Sequence, residues 1–446
     1  MVADGQRARR ATTRRLIGGN SVARVGALVA LGLATLLVAR IGGPTVVGEY
    51  ALLRVIPGLV GVVASAGLPT ACAYFLARDG SDRTVPWSLV SVAVVSGMVA
   101  TAAWLSCVPL LRALFFDGMS DGLVALAGAT ILTQLMVSTA KGCTQGSGDM
   151  RGANRLIVIE EASFLPPFLT LIPMPIGHLT ATIWALLLAD VGAAAYGWIV
   201  LTRRGMFHGA ARPTRSTVAA VLSYGARGQV GGVMTLLNLR LDFVLLGSLS
   251  NAAVVGSYAV ASKFAELLRV PSLAMNYVLY PRFAREGPDL AAHSVRRLAP
   301  RALLLMAVCA ALVAAAVGPL IPWIYGADFR SAVSPAYVLV AGLVTDGVGA
   351  VVSAWLLGCG RPGLNSLAIG AGVAMTLLLD VLLIPSHQAM GAAVASAAAY
   401  VTVTVSLLLV FGIARRAGRR NAEESADTEL TTRNRYGSAV SLQQMR

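Results

Sequence analysis

Twelve apolar runs, each long enough to cross a bilayer as a helix, restrict what this chain can fold into more than any other feature of its sequence. About 20 apolar residues in a helix cover the roughly 30 Å of a hydrocarbon core. The runs lie at about 17–39, 46–72, 86–111, 122–141, 154–175, 180–201, 219–247, 254–279, 301–324, 333–357, 363–384 and 390–413. No ten-residue alternating pattern is present, so a β-barrel is excluded. Charged residues make up 13% of the chain, against about 25% in soluble domains. A soluble enzyme, a disordered protein and a disulfide-rich secreted scaffold are therefore ruled out. The expected fold is an all-α membrane protein with twelve transmembrane helices.

The basic residues orient those helices. Lys and Arg total 36 against 21 Asp and Glu, for a net charge of +15. Loops that stay in the cytoplasm collect Lys and Arg. With the N-terminus inside and sides alternating, 27 of the 36 fall on inside segments. Three, Arg40, Arg112 and Arg330, fall outside, and six lie within spans. An error in the number of spans would scramble this asymmetry. Both termini are thus expected in the cytoplasm. The basic balance is explained by cytoplasmic arginine rather than by nucleic acid, since no basic segment interleaved with aromatics lies outside the apolar runs. The first run follows Arg7, Arg9, Arg10, Arg14 and Arg15 as a signal sequence would. It contains Arg24 and lacks a cleavage site, so it reads as an uncleaved span. Trp87, Trp198 and Trp355 are expected near inner span ends, and Trp104, Trp184 and Trp323 near outer ones. The five cysteines have no metal-ligand spacing and read as small buried apolar side chains.

A long inside loop divides the chain near its middle. The expected layout is a basic cytoplasmic segment 1–16, helices 1 to 6 in an N-lobe over 17–201, and a linker over 202–218. Helices 7 to 12 follow in a C-lobe over 219–413, then a disordered cytoplasmic tail over 414–446. Val47-Gly48-Glu49-Tyr50-Ala51 opens the second run, and Val255-Gly256-Ser257-Tyr258-Ala259 opens the eighth, 208 residues later. Both runs end in Ala-Arg, at Ala77-Arg78 and Ala284-Arg285. Six spans per repeat place equivalent helices in the same orientation, related by a pseudo-two-fold axis along the membrane normal. Two matched bundles with a site between them are a transporter architecture.

Several segments resemble a known family. Arg40-Ile41-Gly42-Gly43-Pro44 followed by Val47-Gly48-Glu49-Tyr50 is similar to the first-to-second helix junction of polysaccharide transporters. These are the Wzx-type flippases of the multidrug/oligosaccharidyl-lipid/polysaccharide superfamily. Leu241-Asp242, Val255 to Ala261, Pro281-Arg282-Phe283-Ala284, Tyr325-Gly326-Ala327-Asp328-Phe329, Gly358-Cys359-Gly360-Arg361-Pro362 and Gly391 to Ser396 continue the resemblance in family order. It covers about 20–413. It implies a V-shaped pair of six-helix lobes in a bacterial plasma membrane. It also implies flipping of undecaprenyl-pyrophosphate-linked oligosaccharide for cell-surface polysaccharide, exopolysaccharide or lipopolysaccharide, with membrane lipids and other polysaccharide-assembly proteins as partners. No resident cofactor is expected.

Ionisable residues inside spans are expensive and usually face a cavity or a partner. The basic set is Arg24, Arg54, Arg227, Arg240, Lys263 and Arg269; the acidic set is Glu49, Glu160, Glu161, Asp190, Asp242, Glu266, Asp346 and Asp380. The resemblance places helices 1, 2 and 8 around the central cavity, which makes Arg24, Arg54, Lys263 and Arg269 candidates for gripping the diphosphate. A guanidinium fork suits phosphate oxygens. Two other roles stay open: Glu266 neutralising Lys263 and Arg269 along one helix, and Arg24 snorkelling to the inner surface. Asn238 and Asp242 on the seventh helix, and Thr376 and Asp380 on the eleventh, are each spaced i, i+4 and share a face; Ser396 lies across a short hairpin. This set resembles the sodium site of lipid II flippases, with Thr376 standing where an amide is expected, and implies Na+ or H+ coupling. Asp380 as a proton carrier, or as a partner of Arg240, is the alternative.

No Walker, zinc or nucleophile motif is present, and outside loops are too short for a glycan polymerase or ligase. The remaining rival is a cation-coupled drug antiporter of the same superfamily. Such antiporters commonly carry an acid on the first helix, where this chain has Arg24 and no Asp or Glu.

Overall fold

The computed structural model describes the backbone of residues 2–78, 82–286 and 288–443, and the side chains of 26–27, 29–78, 82–286 and 290–416. The described residues form fourteen α-helices and no strand. In chain order they are α1 (Val2–Ala64), α2 (Leu68–Arg78), α3 (Val85–Ser106), α4 (Val108–Phe115), α5 (Asp121–Gly146), α6 (Met150–Ala162) and α7 (Leu165–Leu171). After α8 (His178–Arg203) come α9 (Arg215–Leu249), α10 (Ala252–Glu286), α11 (Pro288–Tyr325), a 3-10 turn (Ala327–Ala332), α12 (Val333–Leu343), α13 (Asp346–Gly358) and α14 (Pro362–Gln443). Local chemistry sets several boundaries. Ser120, Asp149 and Thr214 accept from the backbone N–H three residues on and so start α5, α6 and α9, satisfying donors a helix leaves orphaned. Proline sits in the first turn of α3, α4 and α7, where its missing N–H does no harm.

Seven helices are long and apolar enough to cross a membrane, or eight with the Ala327–Leu343 and Asp346–Gly358 pair, bent by 41°. The sequence predicts twelve, and the difference has three physical sources. First, α1 runs unbroken by hydrogen-bond pattern yet leaves helical geometry at Gly43, with φ 68°, a conformation only glycine adopts without strain. Second, Pro362–Arg416 is a 55-residue apolar stretch, about 80 Å at 1.5 Å per residue and far longer than one crossing. It breaks at Gln388, with φ 50° and ψ −127°. Third, α10 carries Lys263, Glu266 and Arg269 in its middle, and the α1 to α2 and α6 to α7 stretches are interrupted after Ala64 and Ala162. The described residues nonetheless make a multi-pass membrane protein, with large apolar side chains such as Leu304, Leu312 and Trp323 exposed on its flanks.

The tail also departs from expectation. Residues 414–443 continue α14 as helix where sequence predicts disorder. Ala, Arg and Glu favour helix, and an existing helix end removes the nucleation barrier. Trp104 and Trp355, near the ends of α3 and α13, are buried against the protein; the Trp104 Nε1–H donates to the Val124 carbonyl at 2.7 Å. Cys107 is exposed, unlike Cys72 and Cys143.

The largest core cluster crosses the middle of the chain, joining Tyr50 and Leu53 of α1 and Phe168 of α7 to Tyr258 of α10 and Phe329 beyond α11. Two seams bring the halves together. At one, a Cβ built on Gly48 would lie 1.7 Å from the Ala252 carbonyl oxygen, and one on Gly256 would lie 1.9 Å from that of Pro44. Gly48 and Gly256 are the repeat-equivalent glycines, and Pro44 and Ala252 are also 208 residues apart, so the contact is self-complementary in the manner of a two-fold interface. Arg40 strengthens this end, its Nε donating to the Ile324 carbonyl at 2.6 Å. At the other seam, a Cβ on Gly225 would meet the Ala66 carbonyl oxygen at 2.3 Å. There Gln229 Nε2 donates to the Val62 carbonyl at 2.6 Å. Arg83 Nε reaches the Gly209 carbonyl at 2.6 Å, tying the segment after α8 to the one before α3.

Candidate functional site

Between the two seams lies a cavity of about 490 Å³. Its walls come from α1, α2, α5, α6 and α8 of the first half and α9 and α10 of the second. Six charged side chains line it: Arg54, Arg240 and Lys263, and Glu160, Glu161 and Asp190. The lining is therefore balanced in charge.

Each cation is held by a carboxylate. Arg54 Nη2 donates to both Glu161 oxygens, at 3.1 and 2.9 Å, while its Nη1 donates to Tyr50 Oη at 3.2 Å. Glu266 bridges the second half, accepting from Arg240 Nη1 at 3.2 Å and from Lys263 Nζ at 3.0 Å. Lys141 donates to Glu160 at 2.6 Å. The adjacent Glu160 and Glu161 thus serve different cations. The Arg54 and Lys263 side chains remain 28% and 22% exposed, so these pairs are neither sealed from a ligand nor locked by burial. Asp190 is buried, with Thr133 Oγ1 donating at 3.5 Å and Gln134 beside it.

The sequence candidates separate. Arg54 and Lys263 reach the cavity, joined by Arg240. Arg269 does not line it; its guanidinium lies 5.6 Å from the Tyr400 ring centroid, and Nη1 is buried without a hydrogen-bond partner. Arg24 lies outside the residues whose side chains are described. Glu266 neutralises Lys263, as their i, i+3 spacing allows, but its other partner is Arg240 and not Arg269. Arg240 is accordingly not the partner of Asp380.

A second polar site sits between α9, α10 and α14. Asp242 is buried and accepts from the Phe243 N–H at 2.9 Å, from Tyr258 Oη, and from Ser396 Oγ at 3.3 Å. Close by, a Cβ on Gly372 would lie 3.0 Å from Asn238 Oδ1, which registers α9 against α14. Asn238 Oδ1, Thr376 Oγ1 and both oxygens of Asp380 are buried with no hydrogen-bond partner. Asp380 is 0% exposed and Thr376 2% exposed. Buried oxygens are nearly always satisfied. Orphaned buried oxygens beside a carboxylate have the donor chemistry of a site for a hard cation or a proton. Asp242 and Ser396 are in direct contact, Asn238 lies against α14 at Gly372, and Thr376 and Asp380 follow on α14.

Sequence reasoning does not single out Tyr258 and Tyr50, although both belong to the repeated Val-Gly-x-Tyr-Ala motif. In the structure each marks a polar site, Tyr50 on Arg54 and Tyr258 on Asp242.

The sequence profile of polysaccharide biosynthesis proteins matches residues 22–286. Comparison with curated proteins gives no match. Among solved structures, a multidrug resistance MATE family transporter of the MOP superfamily in its inward-facing conformation superposes with a TM-score of 0.72 at 15% identity, over 89% of this chain and 99% of that one. The lipid II flippase MurJ in an inward closed conformation gives 0.70 at 14% identity, over 88% and 87%. A MOP superfamily transporter from Pyrococcus furiosus, described by the reverse polarity of its binding pocket, gives 0.64 at 14% identity, over 90% and 95%. At these identities the likeness establishes the fold, which is that of membrane transporters.

Proposed function

We propose, for a chain that belongs to the polysaccharide biosynthesis protein family, that it flips undecaprenyl-pyrophosphate-linked oligosaccharide across a bacterial plasma membrane for surface polysaccharide assembly. The observation that carries this reading is the convergence of Arg54, Arg240 and Lys263, from both halves, on one cavity. A diphosphate offers oxygens to Arg54 in the geometry that Glu161 now occupies. Binding would exchange one charge-assisted pair for another, so the cations need not be bare beforehand.

In this reading α1 to α8 form an N-lobe over 17–201 and α9 to α14 a C-lobe over 219–413, each with six crossings. The breaks at Gly43 and Gln388 divide α1 and α14, and both termini lie in the cytoplasm. The Gly48–Gly256 seam closes the outer side of the cavity and the Ala66–Gly225 seam the inner side. The lobes rock so that one seam parts while the other holds. The site of Asn238, Asp242, Thr376, Asp380 and Ser396 would bind Na+ or H+, whose occupancy biases the rocking. Two buried carboxylates in one dry site call for such a countercharge.

The test is binding and flipping by the purified protein in vesicles. Long-chain polyprenyl diphosphate should bind and reach the opposite leaflet, and Arg54→Ala together with Lys263→Ala should abolish both while the folded protein persists. A second reading, organic-cation antiport, is favoured by the three carboxylates in the lining. It predicts that lipophilic cations bind competitively and that Glu161→Gln weakens binding, whereas the flippase reading predicts that Glu161→Gln strengthens diphosphate binding.

A further inference from the structure

Two spaces of different chemistry adjoin the charged cavity. One, between α1 and α10, is a small pocket of about 160 Å³ whose lining includes Lys263 and Glu266 along with Leu31 and Leu267. The other is a groove of about 530 Å³ between α1, α3 and α9. Eleven residues line this groove, and Ser96 is the one polar side chain among them. Leu59 and Leu236 line both the groove and the cavity, so the two spaces share a wall. Its far side is open: Val63 and Val99 are 62% and 63% exposed.

We infer that this groove receives the hydrocarbon chain of a polyprenyl lipid whose diphosphate sits among Arg54, Arg240 and Lys263. The inference rests on the flippase reading and adds where the lipid chain goes. An amphiphile whose head enters a cavity lined by six charged groups cannot keep its chain there, because apolar atoms would cover carboxylates and guanidinium without replacing their hydrogen bonds. The chain must leave sideways. The α1–α10 pocket is small and presents Lys263 and Glu266, whereas the α3 flank is apolar and within the roughly 300–1,000 Å³ range of ligand pockets. The register fits the head as well. Leu236 precedes Arg240 by one helical turn on α9, and Leu59 follows Arg54 by five residues on α1, a rise of about 7–8 Å. A diphosphate on the two arginines therefore places the first carbons of the chain at the groove's inner end. Lipid chains are as apolar as the groove, so the groove adds little net affinity. Its part is to let the head penetrate while the chain stays in an apolar setting.

Two measurements on the full-length protein test this. In the first, wild-type protein in nanodiscs is irradiated with a long-chain polyprenyl diphosphate bearing a photoreactive group early in its chain. A photoreactive phosphatidylglycerol serves as the comparison. Labelling of residues 96–103 on α3 and of Val233, reduced by unlabelled polyprenyl diphosphate, is expected. Labelling confined to other helices, or equal labelling by phosphatidylglycerol that polyprenyl diphosphate does not displace, overturns the groove. In the second, Ala103→Trp and Ser96→Trp fill the groove, and binding of the long-chain diphosphate is compared with that of inorganic diphosphate. Loss of about tenfold or more in long-chain affinity, with inorganic diphosphate unaffected, is expected. Unchanged long-chain affinity overturns the inference. If the wild type binds neither diphosphate, the flippase reading falls and this inference with it. If it binds both but labels elsewhere, only the groove assignment falls.

Discussion

The two glycine seams make opposite demands on one molecule, and single methyl groups can test them. At the inner seam a Cβ on Gly225 would lie 2.3 Å from the Ala66 carbonyl oxygen, where ordinary contact begins near 3.4 Å. The obstacle is backbone, so no side chain can rotate away, and α9 must retreat from the α1–α2 junction by about 1 Å. At the outer seam Gly256→Ala meets the Pro44 carbonyl oxygen at 1.9 Å, requiring a retreat of about 1.5 Å. Overpacking of this kind costs about 1–3 kcal/mol. The cost applies only while the seam is closed, because a parted seam has no clash. The ratio of open to closed should therefore rise by about 5- to 150-fold. Alanine favours helix over glycine, so neither change weakens its own helix. Gly228→Ala is the control, one turn along α9 with nothing within 4 Å.

The assay is thiol labelling of Ser138→Cys, a cavity-lining position, after replacement of the five native cysteines. A membrane-impermeant reagent is applied from either face of oriented vesicles. Gly225→Ala should raise labelling from the cytoplasmic face, Gly256→Ala should raise it from the outer face, and Gly228→Ala should change neither. If both alanines shift labelling in the same direction, or leave it where the control leaves it, the seams are not opposing gates and the rocking argument fails.

Three further outcomes follow from the polar sites and the core. Glu161→Gln removes the charge-assisted partner of Arg54, a bond of about 1.5–3 kcal/mol, and should tighten polyprenyl diphosphate binding by roughly 10- to 100-fold in a titration while slowing turnover in vesicles. Asp380→Asn should leave the protein folded by thermal denaturation in detergent and remove the dependence of flipping on a sodium or proton gradient; retained dependence would count against the site. Gly128→Ala directs a Cβ to within 2.1 Å of Trp104 Cδ1. It should lower the thermal midpoint through an overpacking cost of about 1–3 kcal/mol, with diphosphate affinity unchanged.

The membrane class and the Gly48–Gly256 register are legible in composition and in the 208-residue repeat. Both are properties of single segments or of their alignment. The meeting of α9 with α14 through Asp242 and Ser396 and through Asn238 and Gly372 is also readable, because i, i+4 spacing fixes a helix face and the resemblance says which helices meet. Pairings between distant helices are not. Arg54 and Glu161 are 107 residues apart, and nothing in their neighbourhoods says that Glu160 turns to Lys141 instead. The span count is lower because α1 and α14 run on by hydrogen-bond pattern across Gly43 and Gln388, breaks that fall between the first and second and between the eleventh and twelfth apolar runs. That Trp104 is covered by protein is not legible either, since it depends on the small Gly128 opposite, which admits its ring to the core.

The balance of charge in the cavity bears on how a carrier releases what it holds. A pocket with three uncompensated cations would bind a diphosphate strongly and let it go slowly, since every interaction gained on entering is lost on leaving. Here Glu161 and Glu266 satisfy Arg54, Arg240 and Lys263. On the proposed flippase reading, an incoming diphosphate competes with groups already in place, and the net gain is the difference between two charge-assisted interactions. Departure is then assisted, because each carboxylate stands ready to reclaim its cation. Binding favourable enough to enter but weak enough to leave is what conduction through any selective site requires. The i, i+3 tether of Glu266 to Lys263 on α10 keeps one carboxylate within reach through any lobe movement. Arg54 and Glu161, on α1 and α6, both belong to the first half and move together. The counter-ions travel with their cations, so rocking changes the access of the site without stripping it of neutralising charge.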